Sequence, residues 1–74
     1  MAVSTNVLFI FNVEDQNGRF LDCVTFYAMP ARSDRLTDQS GNLLEVQYID
    51  HRGEGEDPVV IAQIIRRAGA RGIR

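Results

Sequence analysis

The dipeptide Asn17-Gly18 lies between two runs of alternating apolar residues, and it constrains the fold more than any other feature of the chain. Asn-Gly favours tight β-hairpin turns because both residues tolerate positive φ. Upstream, the odd positions Val3, Thr5, Val7, Phe9, Phe11 and Val13 suit one buried strand face at period two. The even positions Ser4, Asn6, Leu8, Ile10 and Asn12 give a second face that is polar at its ends and apolar in the middle.

A two-residue type I′ loop at Asn17-Gly18 sets a register, with Gln16 opposite Arg19. Val13 then faces Asp22, Phe11 faces Val24, Phe9 faces Phe26, and Val7 faces Ala28. On the other face Asn12 meets Cys23, Ile10 meets Thr25, and Leu8 meets Tyr27. A slip of one residue would exchange the two faces, so the apolar pattern defends this pairing.

The segment Asp38-Gln39-Ser40-Gly41-Asn42 matches Asp15-Gln16-Asn17-Gly18-Arg19 at an offset of 23 positions. Both read as turns. Two short units fall short of a repeat array, so convergence on one turn chemistry is preferred to internal duplication. A strand over 43–50 follows, alternating Leu44, Val46 and Tyr48 against Glu45 and Gln47. Before the turn, 30–37 begins with proline and is largely polar. It is read as a loop or short turn, with an edge strand or a helical turn capped by Ser33 as alternatives.

The C-terminal third carries helix punctuation. Asp57 is placed at the N-cap and Pro58 at the first helical position. Val60, Ile61, Ile64, Ile65 and Ala68 recur at helical spacing, and Gly69 serves as the C-terminal stop. Arg66 and Arg67 complement the helix dipole. The expected fold is therefore α+β: a three- or four-stranded antiparallel meander with one C-terminal helix across one face. Residues 1–69 form the expected single domain and 70–74 a basic tail. The expected core is Val7, Phe9, Phe11, Val13, Val24 and Phe26 from the hairpin. Leu44, Val46, Tyr48, Ile61, Ile64 and Ile65 complete it.

Size and charge narrow the function. With 74 residues the chain sits where small domains lean on a disulfide, a metal or another subunit. One cysteine, Cys23, excludes an internal disulfide, and one Cys with one His is too few for a structural zinc site. No apolar run approaches the roughly 20 residues that cross a bilayer, and the first residues lack a signal-peptide pattern. The expectation is a soluble cytoplasmic protein without cofactor, metal or membrane contact.

Net charge is −2, yet all eight basic residues are arginine, and Arg66, Arg67, Arg71 and Arg74 dominate the last nine positions. Codon bias accounts for arginine in place of lysine more readily than selection for phosphate pairing does. Catalysis has little to stand on: His51 beside Asp50 could act as a base, but no nucleophile is placed near it. The acids Asp50, Glu54, Glu56 and Asp57 read as a solvated loop, since their spacing fits no standard cation loop.

With a helix covering one hairpin face, Leu8, Ile10, Leu21, Cys23 and Tyr27 fall on the other. An antiparallel sheet exposes polar residues there unless something covers them. The expected function is a small non-enzymatic interaction module: a homo-oligomer, with a homodimer as the default, or an accessory or inhibitory subunit that regulates a partner by occupying its surface. The alternative is a nucleic-acid-binding regulator using Arg66, Arg67, Arg71 and Arg74.

Overall fold

The structure, a computed structural model, describes residues 8–69. Five strands account for all its regular structure: β1 (Phe9–Glu14), β2 (Phe20–Phe26), β3 (Arg35–Thr37), β4 (Leu43–Asp50) and β5 (Val59–Arg66). They form one mixed sheet in the order β2-β1-β5-β4-β3. β1 and β5 run parallel, and the other neighbouring pairs are antiparallel.

The expected C-terminal helix is strand β5, and among the described residues there is no helix. The α+β assignment is therefore corrected to an all-β half-barrel. Val59, Val60, Ile61, Ile64 and Ile65 are β-branched, a side-chain shape that loses rotamer freedom in a helix and packs well in a sheet. A short apolar run does not separate helix from buried strand by periodicity alone. The separating sign is four consecutive buried residues, Val59–Ala62. Such a run fits a strand bonded on both edges and covered on both faces. Pro58 then precedes a strand, where its missing N–H is tolerated, and Gly69 takes φ 74 in the turn after β5.

The hairpin register holds through β1 and β2, from Phe9 opposite Phe26 to Val13 opposite Asp22. The loop differs. Gly18 N–H donates to the Asp15 carbonyl and Asp15 N–H to the Arg19 carbonyl, leaving a three-residue loop with Gly18 alone at positive φ, 85°. The expected pairing of Gln16 with Arg19 is replaced by this arrangement. The extra residue shifts the register by one, and a β-bulge between Val13 and Glu14 shifts it back, so that Glu14 faces Phe20. Val7, expected opposite Ala28 and in the core, lies outside the described residues, as do 70–74 of the expected tail.

The second turn repeats the first bond for bond. Gly41 N–H donates to the Asp38 carbonyl and Asp38 N–H to the Asn42 carbonyl. The Asp38 carboxylate accepts from Ser40 N–H and Asn42 N–H, as Asp15 accepts from Asn17 N–H and Arg19 N–H. Before this turn, the segment read as a loop forms a tight turn at Ala31–Asp34, with Ser33 at φ 77, followed by the three-residue edge strand β3.

β2 and β3 are the two edges, four strand spacings apart. In a flat sheet that is roughly 19 Å. Yet Gln39 N–H, in the β3–β4 turn, donates to Asp22 Oδ2 on β2 at 2.9 Å. The sheet must curl to bring these together, and the inner face of the curl holds the core. Phe11, Val13, Leu44, Val46, Val60 and Ala62 are its buried centre, and Phe11 meets Phe26 edge-on at 5.9 Å.

Two expected core residues, Tyr48 and Ile65, face outward instead. Gln47 is the extra residue between Val46 and Tyr48, which turns Tyr48 outward to 55% exposure and brings Ile49 against the core. Ile65, placed in the core by helical spacing, is exposed because strand alternation after the inward Ile64 turns it out.

Asp38 is buried and accepts three hydrogen bonds, including one from Asn42 Nδ2 at 3.0 Å; Asp15 is less enclosed and accepts two. Asp38→Ala is expected to cost about 2–3 kcal/mol, because buried donors lose their acceptor, and Asp15→Ala about 1 kcal/mol. Urea unfolding midpoints of the two variants measure the difference, and equal losses would contradict it.

Candidate interaction surface

The outer face follows from the register. Ile10 and Thr25 are opposite one another, as are Asn12 and Cys23, and Glu14 and Phe20. On β5 the outward residues are Val59, Ile61 and Gln63, flanked on β4 by Asp50, Tyr48 and Glu45. No second layer lies over this face among the described residues, yet Val59 and Ile61 are buried.

Arg52 supplies part of the reason. Its Nε donates to Asp50 Oδ2 at 2.9 Å and its terminal nitrogen to Glu14 Oε1 at 3.1 Å. Asp50 is opposite Val59 on one side of β5, and Glu14 is opposite Ile61 on the other. The guanidinium therefore bridges β4 and β1 across the central strand, between the partners of Val59 and Ile61. Hydrogen bonds from Arg52 to Glu14 and then Asp50 raise its pKa above the ordinary arginine value. A raised basic pKa stabilises the fold at every pH below the unfolded value, and this contribution fades only in strong alkali.

Of the residues expected at an interface, Ile10, Tyr27, Leu8 and Cys23 are exposed, Ile10 at 65% and Tyr27 at 82%. Leu8 and Ile10 lead from the start of β1, and Tyr27 directly follows β2, whose end pairs with that start. They share one corner of the sheet. Leu21 does not join them: the bulge turns it against the core, and Phe20 takes the outward place opposite Glu14, 54% exposed. Met29, beyond Tyr27, is also exposed. Sequence reasoning missed Phe20, because a two-residue loop places it on the inner face.

Arg66 ends β5 and Arg67 follows it, both exposed; Arg71 and Arg74 lie outside the described residues. His51, Glu54, Glu56 and Asp57 are exposed in the β4–β5 loop, and among the described residues no three potential ligands converge on a cation position. No described helix is long and apolar enough to cross a membrane.

No family model, curated protein or solved structure matches this chain. The surface must be interpreted from its own chemistry.

Arg52→Gln is expected to lower the thermal midpoint by breaking both ion pairs and uncovering Val59 and Ile61. On that background Glu14→Gln is expected to add little, because its partner has gone. A thermal double-mutant cycle measures this coupling, and strictly additive losses would show that the bridge does not contribute.

Proposed function

We propose that the chain is a small non-enzymatic interaction module, a homo-oligomer or an accessory or inhibitory subunit, which occupies a protein surface with the corner formed by Leu8, Ile10 and Tyr27. The observation that carries this reading is the joint exposure of these three large side chains where β1 begins and its neighbour β2 ends. Single exposed apolar residues are ordinary on a protein surface. A contiguous group with an aromatic anchor is the composition of an interface centre. Thr25, opposite Ile10, and Asn12, two residues along β1, supply polar neighbours of the kind that rim such a patch. Cys23 lies on the same face, so a partner seated there would shield its thiol.

Ile10→Glu combined with Tyr27→Asp is expected to weaken self-association or partner capture by about tenfold or more, the effect of removing interface anchors. Both side chains are exposed, so the unfolding midpoint is expected to stay near wild type. Light scattering across a concentration series, with capture from the native host, provides the test. A strict monomer whose captured partners are the same with and without the substitutions would end this reading.

A further inference from the structure

The far end of the half-barrel, where both aspartate turns lie, holds a second feature of different chemistry. A polar cavity of about 190 Å³ opens between the turns, lined by residues that include Asp15, Arg19, Asp38, Ser40, Asn42 and Arg67. It is smaller than the roughly 300–1,000 Å³ of a pocket for a drug-sized ligand. A single charged group is the better match to such a space.

The hydrogen bonds show which of its polar groups are already engaged. Both Asp38 oxygens are occupied, Oδ1 by Ser40 and Asn42 N–H and Oδ2 by Asn42 Nδ2. Asn42 Oδ1 accepts from Ala68 N–H, so that side chain is used at both ends. Asp15 Oδ1 takes two backbone N–H groups of its own turn. The acids of the cavity are thus engaged mainly in building the turns. Among the described residues Arg19 and Arg67 form no ion pair, although two carboxylates line the same space. The Ser40 hydroxyl likewise has no partner among them. The two arginines and two aspartates balance in formal charge, so the preference for an anion rests on the free donors: two guanidiniums and a hydroxyl against the one uncommitted oxygen of Asp15.

We propose that this cavity binds a phosphate-type oxyanion between Arg19 and Arg67, with the Ser40 hydroxyl as a further donor. Guanidinium forks match the oxygens of a phosphate, and such charge-assisted bonds are stronger than neutral ones. The two arginines arrive from distant parts of the sequence, one from the β1–β2 turn and one from the end of β5. The parallel pairing of β1 with β5 puts their C-terminal ends at the same end of the sheet. The site is independent of the apolar corner, which lies at the opposite end of β1.

The test is a titration of inorganic phosphate into the full chain at constant ionic strength, against chloride, followed by amide chemical shifts. Saturable shifts are expected at Arg19, Ser40 and Arg67. Arg19→Ala with Arg67→Ala is expected to weaken binding by about tenfold or more, as lost charged hydrogen bonds of this kind do. Arg66→Ala, which removes one charge outside the cavity, is expected to leave it near wild type. A phosphate monoester and a short single-stranded oligonucleotide distinguish the source. Tighter binding of the monoester assigns a terminal phosphate, and tighter binding of the oligonucleotide assigns a nucleic-acid backbone. Shifts no larger than those with chloride, or equal weakening by Arg66→Ala, would overturn the proposal. Retention of the wild-type amide spectrum by the double variant shows that any loss of binding does not come from unfolding.

Discussion

The position of β5 between β1 and β4 is the constraint on which the rest of the structure depends. β1 and β4 have only their outer neighbours, β2 and β3, apart from this strand. Without β5 there would be two separate hairpins, and an isolated hairpin is marginal at best in water. Val60 and Ala62 bring the β1 residues Phe11 and Val13 into one core with Leu44 and Val46 of β4. Val59 and Ile61 make the same join on the outer face, under the Arg52 bridge. A strand must be apolar where both of its faces are covered, as the first half of β5, Val59–Ala62, is.

That demand also explains what the sequence did and did not reveal. The β1–β2 register was legible, because alternation along two strands specifies it strongly. The strand at Leu43–Asp50 was legible for the same reason. β5 was not, since a run such as Val-Val-Ile-Ala-Gln-Ile-Ile satisfies helical spacing while its β-branched residues favour a strand. Asp57, Pro58 and Gly69 then looked like helix ends, although each residue type also serves turns. The parallel pairing of β1 with β5 joins residues more than forty positions apart, a relation no local pattern encodes.

The candidate surface was legible to the extent that strands kept their alternation. Ile10 and Cys23 were placed on the outer face correctly because the ladder between β1 and β2 is regular there. Leu21 and Tyr48 were misplaced, and each lies at an irregularity in its ladder. One inserted residue reverses every facing beyond it until a second irregularity compensates. The hairpin shows the compensating case: a loop one residue longer than expected and a bulge at Leu21 cancel, leaving the register beyond them unchanged. The two aspartate turns are alike in sequence and in hydrogen bonding, and the curl of the sheet places both at one end. The sheet thereby offers an apolar corner at one end and a donor-rich cavity at the other.

The central claim is that Val59–Arg66 is a strand bonded to both β1 and β4. Backbone nuclear Overhauser effects test it most directly. The account predicts cross-strand contacts between Asn12 and Val59 and between Val46 and Ala62, with extended-strand Cα shifts along β5. Sequential amide contacts through Val59–Arg66, with helical Cα shifts and no contact to β1, would contradict it.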